Sequence, residues 1–304
     1  MTERIVVADE VRAAVSAGRP VVALESTIFT HGLTRPRNLE VAFAAERLLR
    51  EAGVTPATTG VVAGVPTVGL SRDQIELIEA ADSGTVKTGI RDLPVAAAKG
   101  SHGGTTVAST ALLAQRAGIE VFATGGLGGV HRGAATTFDE SADLVALSSI
   151  PILIVSAGVK SILDVPATLE RLETLGVIVL GYRTTCFPGF YVRDSGCTVD
   201  AVDSPEAAAM VARARDDLAL RSAVLIANPV AADKQVDPAL HDRVLADAEQ
   251  EAAAAGVRGK DLTPFLLDHM HRGTDGATLD TNVAVYLGNV QVSAEIATAL
   301  VSAS

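Results

Sequence analysis

The alternation of short aliphatic runs with longer amphipathic stretches constrains this chain more than any other feature. The runs are Pro20–Leu24, Thr58–Val62, Glu120–Thr124, Ile150–Ser156, Val177–Gly181 and Ala223–Ala227. Near-continuous apolarity over so few residues suits strands buried on both faces of a parallel sheet. Between them, Asn38–Ala52, Ser71–Ala81, Thr105–Ala117, Ser161–Leu175 and Pro205–Leu218 read as helices. Several open at a capping residue such as Ser71 or Ser161 and close at Gly53, Gly118 or Gly176. Strands alternating with helices pack as a sheet between helical layers, joined by right-handed crossovers. The expectation is an α/β fold, a three-layer α/β/α sandwich with a mostly parallel central sheet. From about residue 238 the pattern is helix only, over Pro238–Ala255, Thr263–Arg272 and Thr281–Val301. No repeat, low-complexity tract or Pro-rich linker divides the chain. Residues 1–304 therefore read as one domain with a helical C-terminal segment, 238–304.

Composition narrows the function classes. Hydrophobic residues make up 48% of the chain and aromatic ones 3%, with no Trp, so the core must be aliphatic. A formal net charge of -11 gives no counterion-release gain on a polyanion, which argues against nucleic acid as a partner. An anionic small molecule remains compatible if the site supplies its own Lys, Arg or backbone N–H groups. Two cysteines, Cys186 and Cys197, do not make a disulfide framework, and a reducing compartment is the default. The start, Met1–Arg4, lacks the basic-then-apolar pattern of a signal peptide. No apolar run reaches the length of a membrane span without a charge or a Gly or Pro break. A soluble, cytoplasmic protein is expected.

In open α/β sheets ligands bind beyond the C-terminal strand ends, and the chemically suggestive residues fall there. Glu25 interrupts an apolar strand, where a carboxylate is either paired for structure or kept for proton transfer. Thr124 and the Gly-Gly-Leu-Gly-Gly run follow another strand, and Lys160 follows the strand that ends near Ser156. A lysine can attack a carbonyl only as the neutral amine, which desolvation or a neighbouring cation favours. Taken alone, Lys160 reads more plainly as a solvated helix-start residue or as the partner of Asp164 one turn on. Lys87 ends a short apolar segment and reads as a phosphate contact or as a surface charge. Gly103 and Gly104 read as opening the helix that carries Thr106 and Val107, and the N–H groups of such a helix start suit a phosphate. Neither a Walker motif nor G-x-G-x-x-G is present there. Asp139 and Asp143 stand four residues apart. On a helix they would share a face and could hold a divalent ion, whereas capping by Asp139 is the plainer reading. His131 and His31 read as hydrogen-bonding or structural histidines, and Asn282, at a helix start, as a cap or an amide-recognition group. His102, His241, His269 and His271 fall in no pattern, and no Cys/His cluster has zinc spacing.

Together these segments resemble the pseudouridine-5'-phosphate glycosidase family, also called indigoidine synthase A-like. The resemblance runs from about Val21 to Leu300. It rests on Val-Ala-Leu-Glu-Ser-Thr-Ile at 22–28, Thr-His-Gly-Leu at 30–33 and Thr-Thr-Val-Ala-Ser-Thr at 105–110. It continues through Val-Phe-Ala-Thr-Gly-Gly-Leu-Gly-Gly-Val-His-Arg-Gly-Ala at 121–134 and Thr-Phe-Asp-Glu-Ser-Ala-Asp-Leu at 137–144. Ala-Gly-Val-Lys-Ser-Ile-Leu-Asp at 157–164 and Thr-Pro-Phe-Leu-Leu at 263–267 complete it. The resemblance implies a homotrimer that reversibly hydrolyses pseudouridine 5'-phosphate to uracil and ribose 5-phosphate with a divalent metal, usually Mn2+. It implies that Lys160 forms a Schiff base with the sugar C1', that Glu25 moves the proton and that Asp139 holds the metal. Lys87, Thr106, Val107, Ser141, Ala142 and Asp143 would contact the sugar phosphate, and Thr124, His131 and Asn282 would lie near the base.

The chain also departs from the family pattern. Thr88-Gly89-Ile90-Arg91-Asp92 replaces Val-Ser-Arg-Arg-Asp, Gly288-Asn289-Val290 replaces Asn-Asn-Ala, and Gly189 stands where Ala is common. These loop changes bear on the aglycone more than on the Schiff-base residues. They favour, as the alternative, a biosynthetic C-ribosyl synthase with an aromatic acceptor. A non-catalytic sugar-phosphate binder is disfavoured by the intact Lys160, Lys87, Glu25 and Asp139.

Overall fold

The computed structural model describes residues 5–80, 82–257 and 262–302. Met1–Arg4 and Ala81, the expected end of one helix, lie outside the described residues. The strands are β1 (Val6–Val7), β2 (Val21–Leu24), β3 (Thr55–Val62), β4 (Val65–Val68), β5 (Val86–Thr88) and β6 (Gly103–Thr105). They continue as β7 (Val121–Ala123), β8 (Leu153–Ser156), β9 (Ile178–Tyr182), β10 (Asp200–Val202) and β11 (Val224–Ala227). The helices are α1 (Asp9–Ser16), α2 (Arg37–Glu51), α3 (Arg72–Glu79), α4 (Leu93–Lys99), α5 (Val107–Arg116) and α6 (Ala134–Thr137). They continue as α7 (Ala142–Leu147), α8 (Val165–Thr174), α9 (Pro205–Asp217), α10 (Pro238–Ala254), α11 (Leu262–Gly273) and α12 (Ala277–Ser302).

One mixed sheet runs β1-β4-β3-β2-β7-β8-β11-β9-β10, with β5 and β6 branching from β3. From β3 to β10 every neighbour pair is parallel. The antiparallel contacts are those of β3 with β4 and with β6. The core splits by strand alternation. Val22 and Leu24, Val121 and Ala123, and Leu153 and Val155 pack on one side with α2, α3, α9 and α12. Ala23, Phe122 and Ile154 pack on the other with α1, α5, α7 and α8. Two covered faces explain why these strands read as unbroken apolar runs rather than as alternating ones.

The departures from the sequence reading have local causes. β3 begins at Thr55 and includes Pro56, which a strand interior normally rejects. At Pro56 only β2 is alongside, because β4 and β6 pair no earlier than Thr59, so the missing N–H faces an unpaired edge. The β3–β4 turn is two residues, Ala63 and Gly64, both at positive φ, as a hairpin with right-handed twist requires. Gly103 and Gly104 form a strand rather than opening α5. α8 starts at Val165, not Ser161. Pro166 has no N–H to bond back, so the helix can begin only beside it, and Asp164 caps it by accepting from the Ala167 N–H at 3.0 Å. By length and composition α12 could cross a membrane, yet it packs on β2, β7, β8, α2 and α9 as a core helix.

Candidate active site

The chain winds outward from β2 to β3 and β4, then returns to the other side of β2 at β7. The crevice beyond the C-terminal ends of β2 and β7 is therefore a topological switch point, the place such sheets leave open for a ligand. Glu25 follows β2 and Thr124 follows β7. The Glu25 carboxyl is buried and accepts hydrogen bonds from the hydroxyls of Thr27 and Thr124. Burial pushes its pKa above the usual carboxylate value. The two hydroxyls and the charge of Lys160 pull it back, and Asp143 adds to the rise.

Lys160 lies in the turn after β8. Leu127 donates its N–H to the Gly158 carbonyl at 2.9 Å, and Lys160 donates its own to the Leu127 carbonyl at 3.2 Å. That short parallel bridge ties the lysine's turn to the Gly125–Gly129 loop. Pairing of Lys160 with Asp164 is not what the structure shows, since that carboxylate caps α8. Lys87 sits in β5 opposite Gly104 of β6. Its side chain reaches solvent, but surrounding protein and the Lys160 charge lower its pKa, while Asp143 and Glu25 raise it. Four charged groups from four elements thus converge on one crevice.

The glycines of the loop 125–129 serve close approach. A Cβ on Gly125 would stand 3.5 Å from Asn282 Oδ1, and one on Gly126 would meet the Phe190 ring at 2.6 Å. A Cβ on Gly128 would collide with Ser141, and one on Gly129 with Thr168. Asp143 is buried and binds the loop to a helix start, accepting from the Gly128 N–H at 2.9 Å and the Ala108 N–H at 3.0 Å. Its carboxylate is committed to the main chain. What this segment can offer a sugar phosphate is the Ser141 hydroxyl and the Ala142 N–H, since the Ser141 N–H donates to the Gly129 carbonyl and the Asp143 N–H to Ser141 Oγ. Val107 has a buried side chain, so it too can contribute only its backbone N–H, at the start of α5. Thr106 precedes it as the cap residue, with its hydroxyl 3.3 Å from Ser109 Oγ rather than on a backbone N–H.

Asp139 and Asp143 do not share a helix face. Asp139 lies before α7, and Ser141, not Asp139, caps that helix by accepting from the Asp143 N–H. Asp139 turns instead toward His131, with Oδ2 4.0 Å from Nδ1, and its carboxylate is partly exposed. Among the described residues no three His, Cys, Asp or Glu side chains cluster as a metal cage. A lone accessible carboxylate fits a hard cation that keeps several waters and shares substrate phosphate oxygens, so Asp139 remains a suitable anchor for Mn2+. Asn282 lies inside α12, past its first turn, so it caps nothing and faces Gly125. His31 hydrogen-bonds Thr30 Oγ1 at 2.7 Å, and burial and the Lys87 charge keep its pKa low.

The sequence over residues 10–299 matches the family of indigoidine synthase A like proteins. The chain belongs to that family. It is 63% identical over 296 residues to a Saccharopolyspora erythraea protein named pseudouridine-5'-phosphate glycosidase, with 97% of each chain covered. Two solved members share the fold. The prealnumycin C-glycosynthase AlnA, in complex with ribulose 5-phosphate, superposes with a TM-score of 0.93 at 36% identity, over 100% of this chain and 99% of its own. An indigoidine synthase A-like protein of Thermotoga maritima gives 0.88 at 37% identity, over 98% and 96%. Within this indigoidine synthase A-like framework the residue reading missed Thr27, Phe190 and Asn289. Thr27 could have been suspected from its place two residues after Glu25. The other two become neighbours of the site only through tertiary packing.

Proposed function

We propose that this enzyme is a pseudouridine-5'-phosphate glycosidase, converting pseudouridine 5'-phosphate and water reversibly to uracil and ribose 5-phosphate. The observation that carries the reading is the convergence of Glu25, Lys160 and Lys87 at the switch point, in a chain so close to relatives of that name. The ligand of AlnA adds support. Ribulose 5-phosphate cannot close a furanose ring because its 5-hydroxyl is esterified, so that relative's site accepts an open-chain pentose phosphate.

A C–C glycosidic bond has no leaving-group oxygen or nitrogen to protonate, so acid catalysis alone is a poor route. The Lys160 amine attacks C1', the ring oxygen leaves as the 4'-hydroxyl with the proton the nitrogen gives up, and the lysine becomes joined to the open sugar. Glu25, its pKa raised by burial, gives its proton to the base carbon. The C–C electron pair then returns to the uracil ring as C1' and Nζ form an iminium. Water hydrolyses the iminium to ribose 5-phosphate and free lysine. Lys87, the start of α5 at Thr106 and Val107, and the Ser141–Asp143 segment hold the sugar phosphate, while Thr124, His131 and Asn282 face the base. Asp139 would hold a divalent cation, taken as Mn2+, which would supply positive charge to the sugar-phosphate end. We place the enzyme in the cytoplasm as a homotrimer, which sedimentation velocity would check.

Borohydride added to enzyme and ribose 5-phosphate should trap a covalent adduct on Lys160, located by peptide mass spectrometry. Lys160→Ala and Lys160→Arg should both lose trapping and turnover, since guanidinium stays protonated. Activity without any trapping would remove the Schiff base. The alternative, a C-ribosyl synthase with an aromatic acceptor, is favoured by the whole-chain match to AlnA. Absence of pseudouridine 5'-phosphate when uracil is the acceptor would select it.

A further inference from the structure

α12 packs over β2, β7 and β8 and turns one face to the site. Asn282, Tyr286 and Asn289 lie on that face, Asn289 two turns beyond Asn282. Asn289 is fully buried, and every polar atom of its amide is engaged. Its Nδ2 donates to the Thr124 carbonyl at 2.8 Å and to the Gly125 carbonyl at 3.2 Å. Its Oδ1 accepts from Asn228 Nδ2 at 3.0 Å. Asn228 follows β11, and its N–H donates to the Ser156 carbonyl at 2.8 Å, at the end of β8. The amide pair therefore spans the C-terminal ends of β7, β8 and β11.

Thr124 and Gly125 are where β7 stops and the glycine loop begins; the Gly125 carbonyl also accepts from the Ala157 N–H at 2.9 Å, whereas the Thr124 carbonyl takes its hydrogen bond from Asn289. A buried carbonyl without a donor is costly, so the amide that satisfies Thr124 and also reaches Gly125 fixes the turn that carries both. The Thr124 side chain on that turn donates to Glu25. Gly125 on that turn faces Asn282.

We infer that Asn289 is a positioning residue. It pins the Thr124–Gly125 turn so that the Thr124 hydroxyl meets Glu25, and it sets the register at which α12 presents Asn282 to the aglycone. The inference rests on the proton-transfer role given to Glu25 above. Asn289 touches no reacting atom; it acts through Thr124. The charged and titratable groups that bear on Glu25 are Lys160 from the β8 turn, Asp143 from α7, Lys87 from β5 and Tyr286 from α12. None of them lies on the Asn289–Thr124 link, so the variants below leave all four in place.

The test is the pH profile of kcat/KM for pseudouridine 5'-phosphate cleavage. Glu25→Gln identifies the limb that belongs to Glu25. Donation from Thr124 favours the carboxylate, so its loss should move that limb to higher pH. Thr124→Val should do this directly. Asn289→Leu, similar in volume but without the donors, should shift the limb the same way and lower kcat/KM on the order of 10–100-fold. The double variant should add little to either single one. Borohydride trapping of ribose 5-phosphate on Lys160 should persist in Asn289→Leu. Should that variant fail to fold, Asn289→Ser and Asn228→Ala, which loosens the same amide from its other end, carry the comparison. A folded Asn289 variant with lowered Tm but an unshifted limb would overturn the inference by making the residue a packing element only. Wild-type protein that neither turns over the substrate nor traps the sugar would overturn the underlying functional reading instead.

Discussion

At the scale of single residues, burial moves the pKa of Glu25 up and that of Lys87 down. Glu25 is the sharpest case, because its burial serves transfer and opposes folding. Its folded pKa lies above the unfolded value, so folding takes up a proton between the two. The protein therefore loses stability as pH rises from the model-peptide carboxylate value through the folded pKa. Glu25→Gln keeps the shape and removes that loss. Its Tm should exceed that of the parent at neutral pH, and the advantage should vanish in acid below the unfolded pKa. The same variant should lose about 10²–10⁴-fold in turnover while still trapping ribose 5-phosphate on Lys160. Differential scanning calorimetry across pH with parallel kinetics checks both halves. A variant no more stable than the parent at pH 7 would show that the carboxyl is solvated after all.

At the scale of elements, the site depends on how tightly the Gly125–Gly129 loop can lie against its neighbours. The Phe190 ring fills the space where a Gly126 side chain would stand, and Phe190 itself has a positive φ that a bulky residue rarely adopts. The neighbouring Phe187 is buried against Gly158, two residues before Lys160. One segment, 187–190, thus backs both the turn of Thr124 and the turn of Lys160. Gly126→Ala should force the Phe190 ring out of place and destabilise by about 1–3 kcal/mol, the usual cost of overpacking. Turnover should fall further than stability, because the loop carries Thr124. Adding Phe190→Leu should recover part of the stability lost in Gly126→Ala, as read by urea denaturation. Equal losses with and without the second change would place the strain elsewhere.

At the scale of the whole molecule, a protein of net charge -11 must gather cations locally to hold a doubly charged sugar phosphate. Lys87 and Lys160 meet in the crevice although they lie far apart in sequence, and their mutual repulsion is part of what lowers the Lys87 pKa. Asp143 and Glu25 partly offset it. A divalent cation on Asp139 would add positive charge at the same end. Rigorous chelation should abolish cleavage, and Mn2+ should restore it. Asp139→Ala should weaken ribose 5-phosphate binding in the presence of Mn2+ while leaving the fold intact by circular dichroism. Full activity in metal-free protein would end the case for the ion.

By itself the sequence determined the layered α/β architecture, because strands buried on both faces must be apolar throughout and helices with one buried face must be periodic. It also marked Glu25, since a carboxylate inside an apolar run violates those same rules, whereas Lys160 read as an ordinary solvated lysine until the resemblance of motifs gave it a role. Short strands such as β5 and β6 stayed hidden, because three residues are too few for any periodicity to show. The resemblance of motifs supplied the roles of Lys87, Asp139 and Asn282, which spacing alone left open. Tertiary structure decided the rest. Asp143 looks like a ligand beside Asp139, but it is turned inward onto the N–H groups of Gly128 and Ala108. Asn289 looks like one more polar residue in an apolar helix, yet it spans the ends of three strands. A buried polar group takes its meaning from the partner that satisfies it, and those partners are distant in sequence. That pairing becomes visible only once the chain has folded.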